Sequence, residues 1–205
     1  MLTIALPKGR VANDTLEVFK KIFNRDFEFQ DRKLILEVDN FKFLLVRSQD
    51  VASYVSRQAA DLGIVGNDVL QEKDYTNLVK LFDLKIGKCD ICIGIQGDRN
   101  INYSLPEIKI ATKMEKITRK HFSSKAISVD IIKLYGSIEL APIVGLSDAI
   151  VDLVETGDTM RQNGLKVVEK IGSSTAHLVS NKLSYISKKI EILNLIDNIK
   201  NSYSN

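Results

Sequence analysis

One turn and its flanking residues offer the clearest chemistry in this sequence. The apolar run Ile150–Val154, interrupted only by Asp152, ends at Glu155-Thr156-Gly157-Asp158-Thr159. Apolar and β-branched residues are typical of a buried strand, and a glycine permits a tight turn that brings backbone N–H groups close to a ligand. A helix beginning here would add its unpaired N–H groups and positive dipole end. With two threonine hydroxyls as further donors, the pattern predicts a cup for a phosphate monoester.

The same turn also fits an ordinary strand-to-helix connection that is capped by Thr or Asp and binds nothing. It is not a Walker P-loop, because no Gly-Lys-Ser/Thr follows, and it lacks the dinucleotide pattern G-x-G-x-x-G. Asp158 places a carboxylate where a phosphate cup would prefer a neutral residue. We therefore expect Asp158 to point outward or to cap the helix, since an inward orientation would weaken the phosphate assignment.

A second group of polar residues follows, or directly precedes, other predicted strands. In an open α/β sheet, the loops at the carboxyl ends of strands line the ligand crevice. Each member alone also fits a role without a ligand, such as a solvated loop charge, a capped turn or a first-turn carboxylate stabilised by a helix dipole. Their coincidence favours a polyanionic, phosphorylated ligand. The group comprises Lys8, Gly9, Arg10, Arg32, Arg47, Gly66, Asn67, Asp68 and Glu139.

Strand and helix patterns alternate along the chain, which predicts an α/β fold with largely parallel sheets. Two lobes joined by crossing strands would place a ligand cleft between them. The apolar patterns predict strands over residues 3–6, 34–38, 41–46, 61–66, 88–96, 108–112, 128–134, 149–154, 167–171 and 175–180. They predict helices over 13–23, 51–58, 69–72 and 117–123, a loop or helix start over 139–144, and an amphipathic helix over 183–199.

Composition excludes several classes of function. The chain has 205 residues, 44% of them hydrophobic, and its 29 Lys and Arg against 26 Asp and Glu are too balanced to favour nucleic acid. The amino-terminal residues do not resemble a signal peptide, and no apolar run approaches the roughly 20 residues of a membrane span. Cys89 and Cys92 would lie on opposite faces of a strand, which favours structural thiols and a reducing, cytoplasmic location. His121 and His177 are isolated from any nucleophile, so catalysis by either is not expected.

Read in order, the motifs resemble the ATP phosphoribosyltransferase family in its short, catalytic-subunit form. The resemblance covers nearly the whole chain, and its last two blocks in tandem are highly specific. It is carried by LPKGR (6–10), RKLI (32–35), DLGIVGNDVL (61–70), LYGSIELAP (134–142), GLSDAIVDLV (145–154) and the turn ETGDTMRQNGL (155–165).

The resemblance implies two α/β lobes of the periplasmic-binding-protein type II class, with the active site in the cleft between them. Lobe I would comprise residues 1–90 and 172–205, and lobe II residues 91–171 with the loop for phosphoribosyl pyrophosphate (PRPP). It implies condensation of ATP, through adenine N1, with PRPP to give N1-phosphoribosyl-ATP and pyrophosphate, with Mg²⁺. This is the first step of histidine biosynthesis. A C-terminal regulatory domain would be absent, and a subunit resembling histidyl-tRNA synthetase would regulate the enzyme. Without that subunit we expect a homodimer, since two-fold symmetric dimers are common among α/β enzymes.

The resemblance also implies a role for each candidate residue. Residues Glu155, Thr156, Gly157, Asp158 and Thr159 would hold the 5′-phosphate of PRPP, with Asp152 beneath the ribose. Arg10 and Arg32 would neutralise the departing pyrophosphate with help from Lys8, a role that electrostatics favours because charge builds on the leaving oxygen. The remaining residues of the second group, Gly9, Arg47, Gly66, Asn67, Asp68 and Glu139, would contact ATP or substrate. Any Mg²⁺ would be carried mainly by substrate phosphates.

Three other interpretations remain at this point. A solute-binding protein could share the fold without catalysis, although a secretion signal would be expected. A phosphoribosyltransferase could use another acceptor, and a regulatory paralogue could have lost its activity, although the retention of both arginines argues against that loss.

Overall fold

In this computed structural model, which describes residues 1–204, the chain divides into two α/β units. Unit 1 comprises Met1–Gly87 and the chain from Thr175 onward, and unit 2 comprises Lys88–Ser174. These boundaries lie three residues from the expected ones at 90/91 and 171/172. The difference arises because β-pairing in unit 2 already begins at Cys89, which lies opposite Ser174.

Strands and helices alternate along most of the chain. In chain order, the structure contains β1 (Leu2–Pro7), α1 (Arg10–Phe23), β2 (Ile35–Val38), β3 (Phe41–Val46), α2 (Val51–Ser56), β4 (Leu62–Gly66), α3 (Asn67–Glu72), β5 (Leu78–Asp83), β6 (Cys89–Gln96), β7 (Ile108–Thr112), α4 (Glu115–Ser124), β8 (Val129–Lys133), α5 (Leu140–Ile143), β9 (Ala149–Val154), α6 (Asp158–Gln162), β10 (Leu165–Ser174), β11 (Ala176–Asn181), α7 (Lys182–Ser187) and α8 (Lys189–Ser204).

Unit 1 is built on a six-stranded sheet of order β2-β3-β1-β4-β11-β5. One face is covered by α1 and α8, whose apolar residues pack against the centre of the sheet. Phe19 of α1 lies at the middle of an aromatic cluster, with its ring centroid 5.2 Å from those of Phe41 and Phe43. The other face is covered by α2, which packs Val51 and Val55 against the sheet. Helix α1 is thereby fixed against β1 and β3, whose ends carry candidate site residues.

Unit 2 is built on a five-stranded sheet of order β10-β6-β9-β7-β8. The isoleucines of β6 and β7 form a core with Phe122 of α4 on one face. On the other face, Met160 of α6 packs beside Gly94 of β6, where a Cβ atom would lie only 3.0 Å from the Met160 sulfur. This close approach anchors the short helix that follows the Thr-Gly turn.

The expectation of largely parallel sheets is wrong, because both sheets are mixed. β1 pairs in parallel with β3 and β4, and β7 with β8 and β9, but β2, β5, β6, β10 and β11 all pair antiparallel with their neighbours. The hairpin β2–β3 needs only a short turn, and β11 returns between β4 and β5 after the chain has formed unit 2. The local sequence pattern did not predict strand β5.

Two helices differ most from the sequence predictions. Helix α1 begins at Arg10 rather than near residue 13. The predicted helix over 183–199 is two helices that meet at Lys188. The Lys188 ammonium donates to the Asp61 carboxylate at 2.6 Å and to the Met1 carbonyl at 3.2 Å, and these contacts hold the junction against the start of the sheet. No helix within residues 1–204 has the length and apolar character needed to cross a membrane.

Candidate active site

Three parallel strands of unit 1 end side by side and carry candidate residues at those ends. Pro7 lies opposite Val46 in the β1–β3 register, and the Lys8 N–H donates to the Val46 carbonyl at 2.7 Å. Lys8 and Arg47 therefore follow neighbouring strand ends. β4 lies in parallel on the other side of β1 and ends at Gly66. This edge of the sheet is called the unit 1 edge below.

Arg32 reaches the unit 1 edge from the opposite chain direction. β2 is antiparallel to β3, so the beginning of β2 lies beside the end of β3, and the Leu45 N–H donates to the Leu34 carbonyl at 2.8 Å. Arg32 precedes this pairing in an exposed turn and has a φ of 59°, which a non-glycine residue seldom adopts. Arg32 thus lies two residues before the pairing of Leu34 with Leu45, and Arg47 lies two residues after it.

The backbone at Gly9 requires glycine. Its φ of 105° and ψ of −157° fall in a region that is essentially restricted to glycine, although a Cβ atom there would meet nothing within 4 Å among the described residues. Conformation rather than space therefore decides this position. Arg10 is the first residue of α1 rather than a loop residue, and its half-exposed side chain lies 4.0 Å from the Asp14 carboxylate one turn later.

Asn67 and Asp68 begin α3 directly after β4. The Asn67 N–H donates to the Thr175 carbonyl at 3.0 Å, and its side-chain oxygen accepts from Lys80 at 3.1 Å. The Asp68 side chain is buried, unlike most aspartates. The chain re-enters unit 1 at Thr175, so this crossing also lies at the unit 1 edge.

The Thr-Gly turn follows β9 in unit 2, as the sequence predicts. Gly157 has a φ of 79° and precedes α6, which is only five residues long. The Asp158 side chain is exposed and does not cap the helix. It accepts a hydrogen bond of 2.6 Å from the Thr156 hydroxyl and pairs with the Arg161 guanidinium. The Thr156 hydroxyl, followed by Arg161, lowers the pKa of Asp158. The hydroxyl that would serve a phosphate is thus engaged by a neighbouring carboxylate.

Asp152 has a cationic partner that sequence reasoning missed. The Lys113 ammonium lies 3.1 Å from Asp152 Oδ1, and the Leu153 N–H donates to the same oxygen at 2.8 Å. Lys113 follows β7, which is parallel to β9 with Thr112 opposite Val151. Its position after a predicted strand was a usable signal in the sequence, but the pairing of β7 with β9 was not.

Glu139 lies at the same end of the unit 2 sheet as the Thr-Gly turn. It follows β8, which is parallel to β7, and it directly precedes α5. The neighbouring Ile138 is buried and anchors this loop. In unit 2, the structure thus groups Glu139, Asp152 and residues 155–159 at the carboxyl ends of its parallel strands. In unit 1, it groups Lys8, Gly9, Arg10, Arg32, Arg47, Gly66, Asn67 and Asp68.

Both histidines are predicted to make stability depend on pH. Burial lowers the pKa of His121 and of His177, and the nearby Lys125 and Lys80 ammonium groups lower them further. Unfolded histidine, with a pKa of about 6.5, then takes up a proton at a higher pH than the folded residues do. The free energy of unfolding should therefore fall as pH is lowered from about 7.5 to about 5.5. Urea unfolding at both pH values measures this loss.

The variant that carries both His121→Gln and His177→Gln is the matched control for this prediction. It should lose most of the pH dependence across that interval, because the remaining carboxylates titrate mainly below it. A wild-type protein that becomes more stable on acidification would contradict the lowered histidine pKa values.

Comparison with known proteins identifies the family. The ATP phosphoribosyltransferase family model matches residues 47–201. Proteins named ATP phosphoribosyltransferase from Campylobacter curvus and from a Nitratiruptor species are 61% and 62% identical to this chain. These alignments cover 98% and 95% of this chain and 97% and 95% of the relatives. The chain belongs to the ATP phosphoribosyltransferase family.

Solved structures agree with this family and with the fold class. An ATP phosphoribosyl transferase (HisG:HisZ) complex from Thermotoga maritima contains a chain with a TM-score of 0.82 and 34% identity, and 98% of both chains is covered. A putative L-cystine ABC transporter from Listeria monocytogenes has a TM-score of 0.63 at 11% identity, covering 99% of this chain and 88% of its own. The second likeness concerns the fold alone, which is α/β with two lobes of the periplasmic-binding-protein type II class.

Family membership confirms the reaction predicted from the motifs. An ATP phosphoribosyltransferase is a pentosyltransferase that joins ATP to PRPP in histidine biosynthesis. A solute-binding protein shares the fold but not the sequence family, and that alternative is therefore set aside.

Proposed function

We propose that this ATP phosphoribosyltransferase holds PRPP at the Thr-Gly turn of unit 2 and neutralises the pyrophosphate with cations of the unit 1 edge. The observation that carries the proposal is the position of the turn. It follows β9, beside the carboxyl ends of β7 and β8, where α/β sheets bind ligands.

The 5′-phosphate of PRPP would bind to residues 155–159. Gly157 adopts the left-handed conformation, and successive N–H groups next to such a residue can form a concave anion site. Thr156 and Thr159 are exposed residues whose hydroxyls would donate to the phosphate, that of Thr156 in exchange for its bond to Asp158. The contribution of α6 is the N–H groups of its first turn rather than a large dipole, because five residues form little more than one turn.

The ribose would lie over Asp152. This largely buried side chain is on the same strand face as Ile150 and Val154, which pack with the buried Met160 of α6. A carboxylate accepts hydrogen bonds from ribose hydroxyls, and its second oxygen is available for them.

The pyrophosphate leaving group would be neutralised by Arg10 and Arg32, assisted by Lys8. Adenine N1 of ATP attacks the anomeric carbon of PRPP with inversion, the bond from that carbon to the pyrophosphate oxygen breaks, and the electron pair leaves with pyrophosphate. Guanidinium groups suit this role because they bind phosphate oxygens in pairs and remain charged. Orientation and leaving-group stabilisation then matter more than a strong base. The unit 1 edge is rich in cations and therefore suits stabilisation of the leaving group.

The ATP would contact the remaining residues of the two groups. Arg47 would serve its phosphates, Gly9 and Gly66 would allow close backbone approach, and Asn67, Asp68 and Glu139 would supply hydrogen-bond partners. The buried Asp68 and the half-buried Asn67 and Glu139 are restricted in movement, which suits recognition of a fixed ligand.

Magnesium would enter with the substrates. In residues 1–204, no three Asp, Glu, His or Cys side chains converge as a cage for a metal ion. Mg²⁺ commonly binds substrate phosphates and only one or two carboxylates, so the residues fit this mode, with Asp152 of β9 and Glu155 of the turn as the carboxylates that would hold the ion beside the substrate phosphates. When bound, the ion would neutralise charge on the pyrophosphate of PRPP.

A regulatory subunit that resembles histidyl-tRNA synthetase is the proposed partner. The support is the Thermotoga maritima structure, which is a HisG:HisZ complex. In its absence we propose a homodimer, the commonest symmetric assembly, in the cytoplasm, where ATP and PRPP are made. Neither nucleic acid nor a membrane is a proposed partner.

A substitution at Asp158 tests the phosphate assignment. Asp158→Asn should lower the KM for PRPP about two- to fivefold, because it removes a negative charge near the bound phosphate and leaves only a weaker, neutral acceptor for the Thr156 hydroxyl. Steady-state kinetics with varied PRPP measures the change. Asp148→Asn is the control, because Asp148 directly precedes β9 and so lies at the end of the strand opposite the turn; its KM for PRPP should be unchanged. A higher KM for Asp158→Asn would show that its carboxylate helps to form the cup.

The assay that tests the proposed function follows the ultraviolet absorbance of N1-phosphoribosyl-ATP. Purified protein is mixed with ATP, PRPP, Mg²⁺ and pyrophosphatase, with and without the synthetase-like subunit. We expect a signal that requires both substrates and Mg²⁺ and that increases with the subunit. Competition by AMP, but not by other nucleotides, would confirm the adenine acceptor. No increase in absorbance, either with or without the subunit, would contradict the proposal.

A further inference from the structure

Lys113 is a partly buried cation whose position is closely defined by unit 2. It follows β7 and lies beside Asp152 in the parallel β7–β9 register. The flanking residues anchor it, because Thr112 and Met114 are both buried. The Thr112 hydroxyl donates to the Val151 carbonyl at 2.7 Å and accepts from the Met114 N–H at 2.9 Å. These bonds tie the end of β7 to β9 and direct Lys113 toward Asp152.

Asp152 is held through one of its two oxygens. Oδ1 receives both the Lys113 ammonium at 3.1 Å and the Leu153 N–H at 2.8 Å. Only 15% of the Asp152 side chain and 27% of the Lys113 side chain is exposed, so solvent screens this pair less than a surface ion pair. With Oδ1 engaged twice, Oδ2 is the acceptor that remains for a ligand among the described contacts.

Charge neutralisation is a second reason for a cation at position 113. PRPP carries a phosphate and a pyrophosphate, and an uncompensated carboxylate beside them would repel both. A cation on Asp152 cancels that repulsion while leaving the second carboxylate oxygen able to accept hydrogen bonds. The exposed Arg161 is engaged instead with Asp158.

We propose that Lys113 is a positioning residue for the transfer reaction: it orients and neutralises Asp152 so that Oδ2 can bind the ribose hydroxyls of PRPP. The inference rests on the proposed role of Asp152 in ribose binding. Lys113 acts through Asp152 and makes no contact with the reacting atoms.

Three single variants test this role in the complete enzyme with its regulatory subunit. Lys113→Met should raise the KM and the dissociation constant for PRPP about tenfold and leave the KM for ATP within about twofold. Lys113→Arg, which keeps the charge, should recover most of the affinity. Lys109→Met changes an exposed lysine at the other end of β7 and should behave as the wild type. Equal thermal midpoints for the variants would show that PRPP affinity, rather than folding, has changed.

A double-mutant cycle separates positioning from direct contact. In an Asp152→Asn background, Lys113→Met should change PRPP affinity less than about twofold, since the group through which it acts is already altered. A further loss as large as that in the wild-type background would overturn the proposal, because Lys113 would then bind PRPP directly. Unchanged PRPP affinity in Lys113→Met itself would also overturn it.

The same measurements distinguish failure of the underlying function. If Asp152→Asn binds PRPP as tightly as the wild type, the ribose assignment of Asp152 fails. If Asp152→Asn weakens binding but Lys113→Met does not, the ribose assignment stands and only the role of Lys113 is rejected.

Discussion

Replacing Arg32 with alanine is expected to lower kcat about 100- to 1000-fold, the loss typical when one donor to a developing negative charge is removed. Arg32 is exposed in its turn and lies outside both apolar cores of unit 1. Truncation should therefore leave the free energy of unfolding almost unchanged. Arg10→Ala should have a similar kinetic effect. It should also lower the free energy of unfolding slightly, because the contact with Asp14 is lost.

The effect should fall on kcat more than on the KM for ATP, because pyrophosphate acquires its full charge only as its bond to the anomeric carbon breaks. Arg32→Lys should recover only part of the rate, since an ammonium group cannot make the paired hydrogen bonds of a guanidinium. The initial rate at saturating ATP and PRPP, with the regulatory subunit present, is the measurement.

Arg25→Ala is the matched control for this series. Arg25 is also an exposed arginine of unit 1, and it contacts the Asp39 carboxylate at 3.7 Å. Its truncation should leave kcat unchanged. Normal rates in both Arg10→Ala and Arg32→Ala would reject the leaving-group assignment.

Phe19→Ala is expected to destabilise the protein by about 3–5 kcal/mol, the usual cost of removing a buried aromatic ring. Phe19 is 1% exposed, and its ring contacts those of Phe23, Phe27, Phe41 and Phe43. The resulting cavity would lie between α1 and β3. The first residue of α1 is Arg10, a candidate site residue. Looser packing of α1 against β3 should therefore also lower the fraction of active enzyme near the unfolding temperature.

Urea unfolding followed by circular dichroism measures the loss. Phe19→Leu keeps most of the apolar volume and should cost about 1–2 kcal/mol. Lys21→Ala, on the exposed side of the same helix, should change stability by less than about 0.5 kcal/mol. A loss below about 1 kcal/mol in Phe19→Ala would show that the aromatic cluster closes around the missing ring.

The sequence by itself determined the elements with strong local patterns. The strand 149–154 and the turn after it could be predicted because an apolar run, a glycine and hydroxyl residues occur within a few positions of one another. The hairpin β2–β3 was readable from two apolar strands around Asp39-Asn40, and its antiparallel register is observed. The family could be recognised because its motifs occur in order along most of the chain.

Only the tertiary structure decided which distant segments lie together. Arg32 reaches the unit 1 edge because β2 runs antiparallel to β3, and Lys113 meets Asp152 because β7 pairs with β9. Strand β5 owes its conformation to pairing with β11, about 100 residues later in the chain. At the break between α7 and α8, Lys188 donates a hydrogen bond to Asp61, which lies 127 positions earlier in the chain. Local sequence patterns specify which backbone conformation a segment prefers, whereas pairings between remote segments depend on the packing of the whole unit, and most of the candidate site lies at such pairings.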